Sequence, residues 1–335
     1  GGIGGASRKG ILVKGANFLD ALARIKSVVF DKTGTLTKGI FVVRKIVPSG
    51  DYTENDVLRS AAIAEYHSNH PIAKSIVNAF TEKFGSIDQF SITSHQEISG
   101  YGVKSVFEDR TITAGNDALL HKENIAHSVC ETEGSVVHVT SNGNYLGYIS
   151  IGDELKDDAY QTIQLLRDAG IHDVSMLTGD NFRAASAIAG KLHLNKFYSS
   201  LLPEQKVQQF ENILKEKSHD GLVAFVGDGI NDAPVIARAD VGIAMGALGS
   251  EAAIETADVV LMTDHPSKLV EAVNIGKRTR SIVVQNIVIA LVIKLAFVAL
   301  GSMGLATMWE AVFADMGVAI LAVLNSSRAL NVRKL

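Results

Sequence analysis

One cysteine in 335 residues, Cys130, excludes a disulfide framework, and without a Cys-x-x-Cys pair there is no zinc-ribbon or redox motif to read. Basic charge is not in excess either. Lysine and arginine number 32 against 36 aspartates and glutamates, a formal net charge of −4, so nothing points to nucleic acid as a partner. No solenoid repeat and no low-complexity linker interrupts the chain. It opens Gly1-Gly-Ile-Gly-Gly5 with no initiator methionine, and neither a secretory signal nor a transit peptide follows. The expectation is the C-terminal part of something longer.

The length suits two or three domains, and the mean hydropathy is positive, with much of the apolar content near the end. Residues 1–24 mix Ile11-Leu12, Phe18-Leu19 and Leu22 with Arg8, Lys9, Lys14 and Arg24, which reads as a basic, membrane-proximal connector. Residues 41–145 carry no phosphate-handling acidic motif. They mix helical stretches with strands such as Val136-Val137-His138-Val139, which closes in a turn at Asn142-Gly143, and they read as an insert. Around it, 25–40 and 146–270 have a βαβ rhythm: strand Leu146 to Ile151, helix Ala159 to Ala169, strand Val174 to Leu177, a helix from Arg183, strand Leu222 to Val226. One parallel sheet split by the insert would gather its functional groups at the carboxyl ends of its strands.

Asp31-Lys-Thr-Gly-Thr-Leu-Thr37 follows the apolar run Val28-Val29-Phe30, which places a carboxylate where a buried strand ends. A carboxylate held there can attack a phosphoryl group and carry it covalently. Lys32 adds positive charge, Thr33 and Thr35 supply hydroxyl and backbone groups, and Gly34 lets the backbone turn. Thr178-Gly179-Asp180 follows the strand Val174 to Leu177. Alone it reads better as a turn capping a helix at Asn181 to Ala189; in company, Thr178 could hold a phosphate oxygen. Lys206 could neutralise Asp31 and an incoming phosphate, against the plainer reading of a surface lysine. Gly227-Asp228-Gly229-Ile-Asn231-Asp232-Ala-Pro234 gathers two carboxylates and an amide on one loop, hard oxygen donors of the kind Mg²⁺ prefers. A calcium loop would need alternating ligands and a terminal Glu, which are absent. Asp228 is the first-choice ligand, with the Asp31 carboxylate and the Thr33 backbone sharing the ion.

The Asp31 motif resembles the nucleophile loop of the haloacid dehalogenase superfamily, whose phosphatases usually carry a second Asp two residues on as acid/base. Here that position is Thr33, which implies an aspartyl-phosphate that forms readily and hydrolyses slowly. Taken together, the three motifs resemble the phosphorylation domain of P-type ATPases. The fold implied is α/β: a haloacid-dehalogenase-like Rossmannoid phosphorylation domain, an inserted α+β nucleotide-binding domain and a C-terminal transmembrane helix hairpin. ATP would phosphorylate Asp31 with Mg²⁺ assistance, with Lys32, Thr33, Thr178, Gly179, Asp180, Lys206, Asn231 and Asp232 around it.

Glu65-Tyr-His-Ser-Asn-His70-Pro71 resembles the His-Pro signature of the heavy-metal branch. By that resemblance Glu65 and His70 contact adenine, while Gly100, Gly102, Gly115 and Asn116 form the nucleotide-binding glycine region. As isolated features, His67 and His70 could be surface residues and a lone Gly-x-Gly just a turn. A zinc site from those two histidines lacks a third nearby ligand.

Ile282 to Met303 has the length of a bilayer-spanning helix, and Thr307 to Asn325 is a second, weaker span. Lys277-Arg278-Thr-Arg280 precedes the pair and Arg328, Arg333 and Lys334 follow it, so both outer ends are expected on the cytoplasmic side of the cell membrane. Lys294 and Asp315 lie about halfway along the two spans, at similar depth in a hairpin. They could pair structurally; an intramembrane charge is otherwise a functional candidate. Asp315-Met-Gly317 and Lys294 resemble the zinc, cadmium and lead exporters, in which Asp315 would bind the transported divalent ion and Lys294 would be its counter-charge. The partners implied are that ion, the lipid bilayer and the remaining N-terminal part of the same pump. The Cys-Pro-Cys helix and the actuator domain are not in this sequence, so the chain alone is expected not to complete transport. The competing reading is a membrane-tethered haloacid-dehalogenase-type phosphatase.

Overall fold

The structure is a computed structural model that describes residues 1–86, 92–127, 135–217, 221–228, 232–246 and 251–330. Its strands in chain order are β1 (Ile11–Val13), β2 (Ile25–Asp31), β3 (Thr37–Pro48), β4 (Ile92–Ile98), β5 (Gly102–Phe107), β6 (Arg110–Gly115), β7 (Ser135–Ser141), β8 (Asn144–Leu155), β9 (Asp173–Leu177), β10 (Lys196–Tyr198), β11 (Leu222–Gly227), β12 (Val241–Met245) and β13 (Val259–Leu261). They form two sheets in two compact units. One unit comprises Gly1–Leu36, Lys156–Gly179 and Lys191–Leu335, the other Thr37–Leu155 with Asp180–Gly190.

The first unit holds a seven-stranded sheet in the order β1-β13-β12-β11-β2-β9-β10, parallel except for β1 against β13. Strands buried on both faces are apolar almost throughout, and Val28, Val29 and Phe30 of β2 have no exposed surface. β2 lies between β11 and β9, with Phe30 level with Val226 on one side and Met176 on the other. The ends of these three strands are therefore neighbours. Phe210, from the helix Pro203–Glu216, packs edge to face on Phe225 of β11 at 5.4 Å between ring centres, which fixes that helix on the sheet.

Residues 1–24, read from sequence as a connector, contribute an edge strand. Ile11 and Val13 turn inward and Leu12 outward, an alternation that lets β1 pair with β13. The helix Ala16–Arg24 packs against the long helix Ser267–Ser302. At the crossing, a Cβ on Gly276 would lie 2.8 Å from the carbonyl oxygen of Leu19.

The second unit is a six-stranded antiparallel sheet, β3-β8-β7-β6-β5-β4, with the helices Glu54–Glu65 and Pro71–Phe84 packed on it. Leu146 to Ile151, expected in the parallel sheet, belongs here instead. It lies within β8, which leaves the turn at Asn142-Gly143 to pair with β7 on one side and with β3 on the other, from Thr37↔Leu155 to Pro48↔Gly147. Both turn residues have positive φ, 49° and 78°, the geometry a two-residue hairpin needs. The stretch 41–145 expected as an insert lies inside this unit, whose outer strands reach beyond it to Thr37 and Leu155.

Ser267–Ser302 is one continuous helix and Met308–Ser327 another. The first half of the longer helix buries Leu269, Val270, Ala272, Val273 and Ile275 against the first unit. Its second half and the shorter helix expose large apolar side chains, including Leu291, Val292, Leu295, Phe313, Ile320 and Val323. Both are long and apolar enough to cross a membrane, and almost none of their most apolar windows is buried in protein. A buried core helix would not leave so much apolar surface open. The two helices are clasped at one end, where Asn286 Nδ2 donates to Ser326 Oγ (2.9 Å) and Asn325 Nδ2 to Asn286 Oδ1 (2.8 Å).

Candidate active site

The Asp31, Thr178 and Asp228 motifs stand at the carboxyl ends of β2, β9 and β11, three adjacent strands. Past Asp31 the backbone leaves the strand through Thr33 (φ −76°, ψ 130°) and Gly34 (φ 74°, ψ −14°). Gly34 serves two needs at once. Its positive φ is strained for other residues, and a Cβ there would lie 2.8 Å from Asp228 Oδ2. The Asp228 carboxylate thus packs onto the loop that carries Asp31.

Lys206, on the helix Pro203–Glu216, donates from Nζ to Asp31 Oδ1 at 2.6 Å and to Asp232 Oδ1 at 3.0 Å. Asp31 and Asp232 are 4% and 1% exposed, and Gly227 leaves the space Asp232 fills. Burial pushes the Asp31 carboxyl up to about 7, Asp232 pushes the same way, and Lys206 only partly offsets them. Asp232 is also raised, by burial above all. Burial works against the Lys206 ammonium, but the two carboxylates outweigh it and hold Lys206 above its ordinary value. One cation shared by two buried acids accounts for all three directions.

Among the described residues, the charged groups that shift Asp31 are Asp232, Lys206 and Asp228, so three carboxylates face one ammonium there. An all-oxygen donor set with excess negative charge suits a hard divalent cation. Thr35 Oγ1 is buried and, among the described residues, has no hydrogen-bond partner. Thr178 is buried, with its N–H donating to the Tyr198 carbonyl (3.0 Å) and its own carbonyl accepting from Leu201 (3.2 Å). Gly179 is exposed, and Lys32 is buried beside Asp31 in sequence. Asp180 groups with the second unit. Asn231 lies outside the described residues.

Sequence reasoning missed Lys156. Its Nζ donates to the Gly34 carbonyl and to Asp264 Oδ1, both at 2.6 Å, and its N–H donates to the Leu36 carbonyl at 3.0 Å. It is 6% exposed, so this lysine fastens the Asp31 loop from beneath. The available signal was one lysine set among Asp153, Glu154, Asp157 and Asp158.

In the second unit, Glu65 closes the helix Glu54–Glu65, is buried, and has its carboxyl pushed up to about 7 by burial, with Glu97 adding to it. His70 is exposed and caps the next helix, its Nδ1 accepting from Ile72 N at 3.2 Å ahead of Pro71. Gly102 and Gly115 face each other across β5 and β6, where a Cβ on either would lie about 2.2–2.3 Å from backbone oxygen, so both allow the strands to approach. Asn116 ties the region together: its Nδ2 donates to the Gly100 carbonyl at 2.8 Å, and its Oδ1 accepts from Leu119 N at 3.1 Å. Gly100 (φ 78°) has open space where a Cβ would be.

Lys294 and Asp315 both line a cavity of about 590 Å³ between the two apolar helices, with Phe297 and Val312 among its walls. No salt bridge within 4.0 Å joins them among the described residues.

The profile of the haloacid dehalogenase-like hydrolase family matches residues 25–240. Over 328 residues the chain is 55% identical to a zinc-transporting ATPase of Synechocystis sp., covering 98% of this chain and 45% of that protein. It is 49% identical over 333 residues to a cadmium, zinc and cobalt-transporting ATPase of Bacillus subtilis, covering 99% of this chain and 47% of that protein. The chain spans about half the length of these relatives. A crystal structure of a zinc-transporting PIB-type ATPase in the E2.Pi state superposes with a TM-score of 0.86 at 35% identity, covering 98% of this chain and 54% of that one. The chain belongs to the haloacid dehalogenase-like hydrolase family, and along nearly its whole length it is similar to zinc- and cadmium-transporting ATPases.

Proposed function

We propose that this chain accepts the γ-phosphate of ATP on Asp31 and that the phosphoenzyme drives export of a divalent heavy-metal cation, Zn²⁺, Cd²⁺ or Pb²⁺. The observation that carries the first half is the shared ammonium. Lys206 holds Asp31 and Asp232 together at the end of β2, which orients the Asp31 carboxylate and offsets charge as an anionic phosphoryl group arrives. Attack by a carboxylate oxygen on the γ-phosphorus forms the acyl-phosphate bond and breaks the bond to ADP. Thr33, in the position of the acid/base of related phosphatases, offers only a hydroxyl, too weak an acid to protonate a leaving group and too weak a base to activate water as a carboxylate does. The product at Asp31 therefore persists. That is the specific reason to set the phosphatase reading aside.

Mg²⁺ held by Asp228, Asp31 and the Thr33 carbonyl would neutralise charge on the transferred phosphoryl group. Thr178 and Lys206 would hold phosphate oxygens. In the second unit, Glu65, His70 and the Gly100–Asn116 region would hold the adenine nucleotide. A Glu65 that keeps its proton near neutrality can donate to a ring nitrogen.

For transport, the support is Asp315 with Lys294 on one cavity between two lipid-exposed helices, together with the zinc and cadmium pumps this chain is similar to. A carboxylate suits a divalent cation, and an ionisable group at mid-membrane depth marks an ion path. The basic residues at both outer ends of the hairpin support the reading that those ends, and the catalytic units, lie on the cytoplasmic side of a multi-pass membrane protein. The test is acid-stable, hydroxylamine-sensitive labelling from γ-labelled ATP. It should appear in the wild type and be absent from Asp31→Asn; equal labelling of both would end this reading.

A further inference from the structure

Asp117, His121 and His127 converge on one point of the second unit, and neither the nucleotide reading nor the transport reading uses them. Their ligating atoms all lie within 4.8 Å of one another. Asp117 and His121 sit one turn apart on the helix Asp117–Lys122, with Asp117 Oδ2 3.2 Å from His121 Nε2. That contact alone is an ordinary helical pair.

His127 makes the cluster more than that. Its side chain is only 6% exposed, and its Nδ1 lies 3.1 Å from the Ile125 carbonyl, which can only accept, so Nδ1 is the donor. The Nε2 of the same ring then points at Asp117 Oδ1, 2.5 Å away. At that distance a proton bridges the ring nitrogen and the carboxylate oxygen, and a metal cation can replace it once exposed Asp117 turns aside to open the gap. A backbone carbonyl that fixes the far nitrogen of a histidine is the outer-shell arrangement metal-ligating imidazoles use. Behind His127, the ring of buried His138 packs at 5.1 Å and is itself held by the Tyr145 hydroxyl at 3.0 Å. The third ligand is therefore rigidly backed, while Asp117 and His121, 62% and 72% exposed, are free to adjust. Ligand atoms about 3.4 Å apart are what a tetrahedral ion with bonds of about 2.1 Å requires, within reach of those exposed side chains.

We propose that Asp117, His121 and His127 bind a zinc-class divalent cation through two imidazoles and one carboxylate, with water completing the shell. Two nitrogen donors select zinc, nickel, cobalt or copper over Mg²⁺ and Ca²⁺, which take oxygen. A bound ion would brace the segment 125–127 against the helix whose cap, Asn116, holds Gly100. The site does not depend on the transport reading.

The experiment uses the full chain carrying Asp315→Asn, so that the intramembrane carboxylate contributes nothing, with Zn²⁺ as the probe. Stoichiometry is read by elemental analysis after gel filtration, and affinity by competition with a chromophoric chelator. Adding His121→Ala or Asp117→Asn, both on the exposed face of a surface helix, should remove one bound Zn²⁺ or weaken it at least about tenfold, because even outer-shell changes cost about 10–100-fold. Millimolar Mg²⁺ should not compete, and Co²⁺ should give tetrahedral visible absorption that His121→Ala abolishes. Unchanged Zn²⁺ stoichiometry and affinity in both variants would overturn the proposal, as would displacement of Zn²⁺ by Mg²⁺.

Discussion

A Cβ on Gly34 would stand 2.8 Å from Asp228 Oδ2, so the loop that carries Asp31 and the loop that carries Asp228 touch where a side chain would separate them. Gly34→Ala should push Asp228 away and strain a backbone with φ of 74°. The expected outcome is a Mg²⁺ requirement for Asp31 labelling raised by about 10–100-fold. A titration of labelling against Mg²⁺ checks it, and an unchanged midpoint would remove Asp228 from the metal seat.

Lys156 should matter without touching phosphate. Lys156→Met takes the shared donor from the half-buried Gly34 carbonyl and from Asp264, which water can solvate instead, so the loss is that of an ordinary hydrogen bond, about 1 kcal/mol. Thermal unfolding should fall by several degrees and labelling should slow, whereas Lys156→Arg should recover part of both. A Met variant with wild-type labelling and melting would show that the loop holds itself.

In the proposed reaction Asp31 attacks as a carboxylate, and burial together with Asp232 pushes its carboxyl up to about 7. Lys206 lowers that value, so Lys206→Met should move the pH midpoint of labelling upward as well as reduce its rate. A bound cation acts in the same sense as Lys206, so the wild-type midpoint at saturating Mg²⁺ should lie at or below about 7. A midpoint that Lys206→Met shifts downward would contradict the assigned charge balance.

Asp315→Asn should weaken Zn²⁺ or Cd²⁺ binding by about tenfold or more when measured in a His121→Ala background, which silences the surface cluster. Equilibrium dialysis in detergent reads it. Equal affinity in both would place the cargo elsewhere, and Lys294 would then line the cavity for a different reason.

Much of this was legible in the chain. Apolar runs that end in Asp31, Thr178 and Asp228 announced three strands of one buried parallel sheet, because only strands covered on both faces are so uniformly apolar. β8 was misplaced because Leu146 to Ile151 is also an apolar run. What separates it from a parallel strand is the Asn142-Gly143 hairpin, which forces it back along β7. Residues 1–24 looked like a connector because their charges outweigh two inward side chains, Ile11 and Val13, that suffice for a short edge strand. The anchoring role of Lys156 and the approach of His127 to Asp117 and His121 were missed for another reason: each depends on contacts that only folding creates, between residues with no shared motif.

The most direct test locates the phosphate at residue level. After incubation with ATP and Mg²⁺, borohydride reduction of the acid-quenched chain followed by peptide mass spectrometry should find homoserine at position 31, and none without ATP. An unreduced Asp31 in a chain that carries label elsewhere would contradict the account.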